Sequence, residues 1–157
     1  MPLSAKLTKH LAANTVVYTV VPHKTVFTVY DLAQTTKVKL NTIVKTLLVK
    51  ADKEYVLAVL PAHLRLDLVA LKKHLKVKTV TLAKEKDMLT KFKVKPGAMT
   101  PFGSMYKVAV VADKSLLKAE KVLMSAGSFT ESLHLKMKHY LKAEQPQMVK
   151  IGKKAVK

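Results

Sequence analysis

Lys45 is the residue whose surroundings most need a chemical explanation. It lies in the run TIVKTLLV, where both faces of a strand would be apolar apart from Thr46. A buried ammonium group must be paired, lose its proton, or line a cavity into which a ligand brings negative charge. A lysine that protects an edge strand from aggregation is an equally good interpretation. The pattern alone leaves both open.

The segment PGAMTPFG, from Pro96 to Gly103, is the second place with a chemical signature. It holds two of the six prolines and two of the four glycines in the chain. Gly97 can adopt a positive φ or let a ligand come close, while Pro101 fixes its own φ and restricts Thr100. We expect a stiff loop with exposed amides that could hold an oxyanion or a ribose. An ordinary connecting loop is the alternative.

Weaker signals come from His23 and from the segment GSFTESLH at residues 127–134. His23 lies in a strand-to-helix loop, where a surface histidine without a role is the simpler interpretation. The segment gathers small, polar and titratable side chains after a strand, which is typical of a loop that lines a site. Ser128 and His134 could form a nucleophile and base, but a G-x-S-x-G turn and an orienting carboxylate are missing. Asp113 is expected to end a strand or cap the next turn.

The composition excludes several kinds of site. The chain has no cysteine, which removes disulfides, thiolate metal sites and a cysteine nucleophile. The six histidines show no HxH or HExxH spacing, so we expect no metal. No apolar run reaches the roughly 18 residues that span a bilayer, and the N-terminus does not resemble a signal peptide. We therefore expect a cytoplasmic protein that does not bind membranes.

The net charge of +19 indicates an anionic partner. Self-repulsion of this size opposes compaction unless a polyanion such as nucleic acid offsets it. Arg65 is the only arginine. Lysine acts as a point charge for phosphate, whereas arginine dominates the reading of bases, so attraction to a phosphate backbone is favoured over sequence reading. A lysine-rich composition without functional meaning is the alternative.

Hydrophobic periodicity predicts alternating short helices and strands. Ser4 is expected to cap a first helix with Leu3, Leu7 and Leu11 on one stripe, and Thr28 to cap a helix through VYDLAQ. Further helices are predicted at Leu64 to Leu75, KEKDMLTKF and MKHYLKAEQ. Strands are predicted at TVVYTVV, TIVKTLLVK, EYVLAVL, KTVTLA, YKVAVVAD and KVLMSAG, with TIVKTLLVK and EYVLAVL forming a hairpin across ADK.

This pattern favours one mixed α/β (α+β) domain over residues 1–157, with a central mixed or largely antiparallel sheet covered by short helices. A short basic tail is expected from about residue 146. We expect a monomer.

The same residues, in this order, resemble the YbaK and prolyl-tRNA synthetase-associated editing-domain family of aminoacyl-tRNA deacylases. The resemblance runs from about Val17 to Leu141. It is carried by PH and FTVYDLA, VKTLLV, LAVLPAHLRLDL, GAMTPFG, VAVVADKSL and SAGSFTESLHL. The family's G-x-x-x-P loop corresponds to Gly97 through Pro101, and its strand lysine to Lys45.

The resemblance implies a mixed α/β fold and hydrolysis of misacylated tRNA, particularly tRNA for proline carrying alanine or cysteine, without metal or cofactor. Catalysis would rest on Lys45, which contacts the terminal adenosine or the aminoacyl carbonyl, and on the Gly97 to Pro101 backbone, which positions the ester. The residues expected to bind substrate are His23, Phe27, Ala98, Met99, Thr100, Gly127, Ser128 and His134. Val21 replaces a tyrosine of some cysteine-specific members, which puts thiol-assisted cleavage with that partner in doubt.

The expected partner is the acceptor end of misacylated tRNA, and a synthetase complex is a further one. Because the ester is already activated, positioning and oxyanion stabilisation would suffice, with water or a substrate hydroxyl as the attacking group. Two alternatives remain at this point. One is a nucleic-acid-binding protein without catalysis, driven by counterion release. The other is a regulatory module of the same fold that binds charged tRNA without cleaving it.

Overall fold

The computed structural model describes residues 4–155. Its helices are α1 (Ala5–Ala13), α2 (Val29–Thr36), α3 (Leu68–Leu75), α4 (Glu85–Lys91) and α5 (Met137–Glu144). Short 3-10 helices occupy Leu40–Thr42, Gly103–Tyr106 and Lys114–Lys118. None of the helices in this range has the length and apolar character required to cross a membrane.

The strands are short except for two. They are β1 (Thr19–Pro22), β2 (Val44–Ala51), β3 (Glu54–Pro61), β4 (Leu64–Leu66), β5 (Val80–Leu82), β6 (Ala109–Asp113), β7 (Lys121–Ser125), β8 (Glu131–Lys136), β9 (Gln147–Val149) and β10 (Gly152–Lys154). The long pair, β2 and β3, forms the antiparallel hairpin predicted from the sequence, with Ala51 opposite Glu54.

This hairpin lies in the middle of a five-stranded sheet of order β5-β2-β3-β6-β9. Strand β5 pairs antiparallel with β2, while β6 and β9 continue the sheet in parallel. A three-stranded antiparallel sheet has the order β1-β8-β7, and β4 pairs with β10 in a two-stranded ribbon. The fold is therefore the mixed α/β domain that the sequence predicted.

Both faces of β3 are covered, which explains its uninterrupted apolar sequence. Side chains alternate between faces along a strand. Leu57 and Val59 accordingly lie in the largest apolar cluster, and Val56 and Ala58 lie in a second one. The sheet thus forms a rigid support with side chains buried on both sides.

The predicted helix caps are confirmed. The Ser4 hydroxyl accepts a hydrogen bond from the Leu7 amide, and the Thr28 hydroxyl accepts one from the Asp31 amide. Leu3, which was expected on the apolar stripe of the first helix, lies outside the described residues.

Three sequence predictions about elements are wrong. The C-terminal segment expected as a basic tail from about residue 146 instead supplies β9 and β10, because its backbone pairs with β6 and β4. The second half of the expected loop at 127–134 is the start of strand β8, which pairs on both sides, with β1 and β7. Leu64 starts β4 rather than a helix, since Asp67 caps α3 by accepting from the Ala70 amide.

Asp113 ends β6 and caps the following turn, as predicted, through a hydrogen bond from the Ser115 amide. It has a second role that the sequence did not indicate. Its other carboxylate oxygen accepts from the amides of Ile151 and Gly152 at 2.8 and 2.7 Å. Burial alone would raise the pKa of Asp113, but its hydrogen bonds outweigh burial and hold that pKa below its ordinary value. The carboxylate therefore fixes the start of β10.

Candidate functional site

A cavity of about 200 Å³ opens where the β1–α2 loop, the first half of β2 and strand β8 meet. Its apolar wall consists of Val26, Phe27, Val29, Leu32, Val44, Leu47, Met99 and Phe129. Its polar side chains are His23, Thr28, Lys45, Thr46, Ser125, Ser128 and Ser132, and Gly97 contributes backbone. The lining thus combines apolar residues with polar ones that can orient a ligand, as expected of a small-ligand site.

Lys45, on β2, is one of the residues that line this cavity. Its position agrees both with a lysine that lines a cavity and with a lysine at the edge of a strand. Strand β3 pairs with β2 along its whole length, but β5 pairs only from Val49 to Ala51. Before Lys45, Ile43 makes an isolated bridge with Leu123 of β7. Lys45 therefore lies on a locally open edge of β2, and that edge faces the cavity.

The Lys45 ammonium is held by one hydrogen bond, from Nζ to the carbonyl oxygen of Leu64 at 2.6 Å. Burial lowers the pKa of Lys45, and the charge of Arg65 lowers it further. An ammonium has three donors. The remaining donors of Lys45 can therefore bind an oxygen atom of a ligand in the cavity.

Thr46, the next residue of β2, also lines the cavity. Its Oγ1 is buried and has no hydrogen-bond partner within the described part of the chain. A buried hydroxyl without a partner is costly. Strand β2 thus contributes two polar residues, Lys45 and Thr46, to the lining of the cavity.

The 97–101 loop is only partly as predicted. Gly97 has φ +86°, as the loop hypothesis required, and it lines the cavity with Met99. The amide of Ala98 donates to Lys95 O, and that of Thr100 donates to the Tyr106 hydroxyl. The expectation of a loop with exposed amides is therefore wrong for Ala98 and Thr100.

Gly97 and Met99, the two residues of this loop that line the cavity, differ from Ala98 and Thr100 in the hydrogen bonding of their amides. Within residues 4–155, the amides of Gly97 and Met99 have no hydrogen-bond acceptor. Two backbone amides in the wall of a cavity, each without an acceptor, are typical donors for a developing oxyanion. Gly97 is also closely packed, since a Cβ at this position would lie 3.3 Å from the Phe27 carbonyl oxygen and 3.5 Å from the Phe129 ring.

His23 and Ser132 form a hydrogen-bonded pair in the cavity wall. His23 Nδ1 lies 2.8 Å from the Lys24 carbonyl oxygen, and Nε2 lies 2.9 Å from Ser132 Oγ. Because a carbonyl only accepts, Nδ1 donates to it, and in the tautomer with its proton on Nδ1 the Nε2 atom accepts from the Ser132 hydroxyl. A base oriented by a third group, with a hydroxyl at its free nitrogen, is a proton-transfer arrangement.

Two aromatic rings form the exposed side of the cavity. Phe27 and Phe129 have ring centroids 4.9 Å apart, and Phe27 is 65% exposed. A large exposed ring beside an apolar pocket is a surface on which a base or ribose can stack. The sequence predicted Phe27 through the family resemblance, whereas Phe129 was missed.

The structure brings some predicted site residues together and separates others. Lys45, His23, Phe27, Gly97, Met99 and Ser128 line the cavity. Ala98, Thr100, Pro101, Gly127 and His134 do not line it. Pro101 is buried, and its carbonyl accepts from the Tyr140 hydroxyl at 2.7 Å, so it supports the loop from behind.

His134 pairs with β1 opposite Thr19, and the Ser128 hydroxyl bonds Thr130 at 3.1 Å. The serine and histidine that meet in the cavity are thus Ser132 and His23, not the Ser128 and His134 considered from the sequence. Among the described residues, no three His, Asp or Glu side chains are grouped so as to hold a metal ion.

The sequence model of the family described as "Aminoacyl-tRNA editing domain" matches residues 23–143. This range includes every residue of the cavity wall. The chain belongs to the aminoacyl-tRNA editing domain family. Its family therefore acts in the editing of aminoacylated tRNA, which agrees with the resemblance noted from the sequence.

Relatives of known name are prolyl-tRNA synthetases. The chain is 33% identical over 109 residues to the proline–tRNA ligase of Kosmotoga olearia, covering 69% of this chain and 18% of that protein. It is 32% identical over 131 residues to the proline–tRNA ligase of Thermotoga neapolitana, covering 83% of this chain and 21% of that protein. The chain thus spans about a fifth of the length of these relatives.

Solved structures share the fold over nearly the whole chain. A hypothetical protein aligns with a TM-score of 0.86 at 22% identity, covering 94% of this chain and 99% of its own. A proposed trans-editing enzyme for prolyl-tRNA synthetase aligns with a TM-score of 0.84 at 19% identity, covering 97% and 99% of the two chains. At these identities the likeness is evidence of the fold alone.

Proposed function

We propose that the protein is an aminoacyl-tRNA deacylase that hydrolyses the ester between a wrongly attached amino acid and the terminal ribose of tRNA. The observation that carries the proposal is that three residues line one small cavity: Lys45, whose ammonium is held by Leu64 O, and Gly97 and Met99, whose amides have no acceptor among the described residues. Membership of the editing-domain family supports the same reaction.

These donors suit the chemistry of ester hydrolysis. Attack on the ester carbonyl creates a tetrahedral intermediate with a negative oxygen, which fixed N–H donors stabilise. The amides of Gly97 and Met99 are available for that oxygen. The Lys45 ammonium, held by Leu64 O, binds the carbonyl region or the terminal ribose. Because these groups are held in place by the fold, little reorganisation is needed during the reaction.

The attacking group in this proposal is water, because attack by a substrate hydroxyl would move the ester and would not release the amino acid. Its proton passes to Ser132 Oγ as the Ser132 proton passes to His23 Nε2, across the 2.9 Å contact between them. When the intermediate collapses, the carbon–oxygen bond to ribose breaks and the imidazolium returns a proton to the departing ribose oxygen. The products are the free amino acid and uncharged tRNA, and every atom is accounted for.

The finer substrate proposal is tRNA for proline carrying alanine or cysteine. It is supported by similarity to proline–tRNA ligases from two organisms. A cavity of about 200 Å³ with an apolar wall suits a small aminoacyl group. We further propose that the protein acts in the cytoplasm, as a monomer, on the acceptor end of tRNA released from a synthetase, or within a synthetase complex.

Incubation with a panel of misacylated tRNAs tests this function. Alanyl- and cysteinyl-tRNA for proline should lose their amino acid, whereas correctly charged prolyl-tRNA should be stable. Binding should be measured in parallel with the uncharged tRNA. Binding without release of amino acid from any member of the panel would refute the deacylase and favour a regulatory module.

A further inference from the structure

Two cations face each other on the ribbon formed by β4 and β10. Arg65 on β4 is paired directly with Lys153 on β10, and both residues are exposed. Residues directly opposite in an antiparallel pair extend their side chains to the same face, with Cβ atoms about 5 Å apart. Like charges in this arrangement repel each other, and an anion bound between them would relieve that repulsion.

The ribbon is joined by a hydrogen bond to Lys45, a residue of the cavity wall. Leu64, the residue before Arg65, holds the Lys45 ammonium through its carbonyl at 2.6 Å. Ile151, the residue before β10, makes two backbone hydrogen bonds. Its amide donates to Asp113, and its carbonyl accepts from Asp67 N at 2.7 Å. The distance from the Arg65 and Lys153 backbones to the cavity is therefore set by the fold.

The two strands also approach each other closely. A Cβ on Gly152 would lie 2.7 Å from Leu64 Cδ1 and 3.2 Å from Asp113 Oδ1, so a larger residue would have to displace the Leu64 side chain. A two-stranded ribbon alone is marginally stable. Here the Asp113 carboxylate and the close Gly152 contact hold it against the main sheet, which keeps a pair of like charges in register.

Arg65 is distinguished from the rest of the basic surface by its type. It is the single arginine among 29 Lys and Arg residues. A guanidinium binds phosphate through two parallel hydrogen bonds, which lysine cannot reproduce. An arginine beside the cavity thus adds directional phosphate binding where the other cations add only charge.

We propose that Arg65 and Lys153 form a phosphate subsite for the RNA backbone adjoining the terminal nucleotide whose ester enters the cavity. This inference rests on the proposed function, which supplies a substrate with a phosphodiester one nucleotide away from the ester. The subsite orients the acceptor end so that its last ribose reaches Lys45. It recognises the phosphodiester of the chain rather than a base.

A comparison of two substrates tests this subsite. Alanyl-tRNA carries the phosphodiester, whereas 3′-O-alanyl-adenosine carries the same ester without any phosphate. Arg65→Ala should lower kcat/KM on alanyl-tRNA by about tenfold, the effect of losing one charge-assisted contact. It should leave hydrolysis of alanyl-adenosine within about twofold of wild type. Lys153→Ala should act in the same direction but less strongly, and Arg65→Lys should restore activity only in part.

Lys138→Ala is the matched control, since Lys138 is an exposed lysine on α5, an element that does not line the cavity. It should change kcat/KM on both substrates by less than about twofold, because an isolated surface charge contributes little. Equal losses on both substrates for Arg65→Ala would show that Arg65 acts through the fold and would overturn the proposal. So would wild-type activity on alanyl-tRNA.

Binding of an uncharged RNA hairpin that ends in a single-stranded acceptor sequence separates this inference from the proposed function. Arg65→Ala should weaken binding about tenfold and reduce the slope of log K against log salt by about one. If the wild type hydrolyses neither ester, the proposed function fails, yet this binding result still decides the subsite. Equal binding by wild type and Arg65→Ala would overturn it.

Discussion

Substitution of Gly97 by alanine tests the role of the loop amides in the cavity. Gly97 has φ +86°, a conformation that costs a residue with a Cβ about 1–2 kcal/mol. For a domain of this size the melting temperature should fall by roughly 2–8 °C. The added Cβ would lie 3.3 Å from the Phe27 carbonyl oxygen, so the loop must move away from the β1–α2 loop to accept it.

That movement displaces the amides proposed to bind the oxyanion. Loss of one oxyanion donor typically costs roughly 10²–10³-fold in rate, so displacement of the Gly97 amide should slow deacylation by at least about tenfold. The assay is single-turnover release of alanine from alanyl-tRNA, with thermal unfolding measured on the same sample. Single turnover isolates the chemical step from product release.

Gly127→Ala is the matched control. Gly127 also has a positive φ, +81°, but a Cβ there would meet its nearest atoms, Ala98 O and Thr100 Cγ2, at an ordinary 3.7 Å. Gly127 does not line the cavity. This variant should lose similar stability and keep its deacylation rate. A Gly97→Ala rate equal to wild type, or an equal rate loss in both variants, would refute the proposed role of the loop amides.

Three further results are expected. Ser132→Ala and His23→Ala should each slow single-turnover deacylation by about 10²-fold, and the double variant should lose little more, because the two residues act as one proton-transfer unit; additive losses would contradict this. Asp113→Asn should lower the free energy of unfolding by about 2 kcal/mol at pH 7, measured by urea unfolding. Because the pKa of Asp113 is lowered in the folded state, the loss of stability in Asp113→Asn should be complete above about pH 4 and should disappear as the pH falls through the folded-state pKa. A loss of stability that persists in acid would contradict this pH dependence. Affinity for tRNA should fall steeply with salt, as expected for a chain of net charge +19, and a flat dependence over a tenfold change in ionic strength would contradict phosphate binding.

The parts of the fold that sequence predicted are those set by local pattern. The hairpin of β2 and β3 follows from two apolar runs separated by three polar residues, and the caps at Ser4 and Thr28 follow from side chains next to the helices they cap. Strand β8 was missed because its first residues, Glu131 and Ser132, are polar. They are buried only because β1 and β7 pair on either side, which no local pattern records.

The same distinction applies to the site. Lys45 could be found because a charge in an apolar strand is anomalous within a few residues of sequence. The contact between His23 and Ser132 joins residues 109 positions apart and arises only when the β1–α2 loop packs against β8. The anchoring of Ile151 by Asp113, across 38 positions, is hidden for the same reason. Long-range hydrogen bonds thus set the part of the site that pattern reading does not reach.

Single-turnover hydrolysis of alanyl- and cysteinyl-tRNA by Lys45 variants measures whether this residue takes part in the reaction. Lys45→Ala should abolish deacylation while thermal stability stays unchanged or rises, since the ammonium is partly desolvated. Lys45→Arg should rescue little, because a planar guanidinium is too large to replace a compact ammonium held at 2.6 Å from Leu64 O. Near-wild-type rates from Lys45→Ala would remove Lys45 from the mechanism, and aggregation without loss of specific activity would assign Lys45 to protection of the β2 edge.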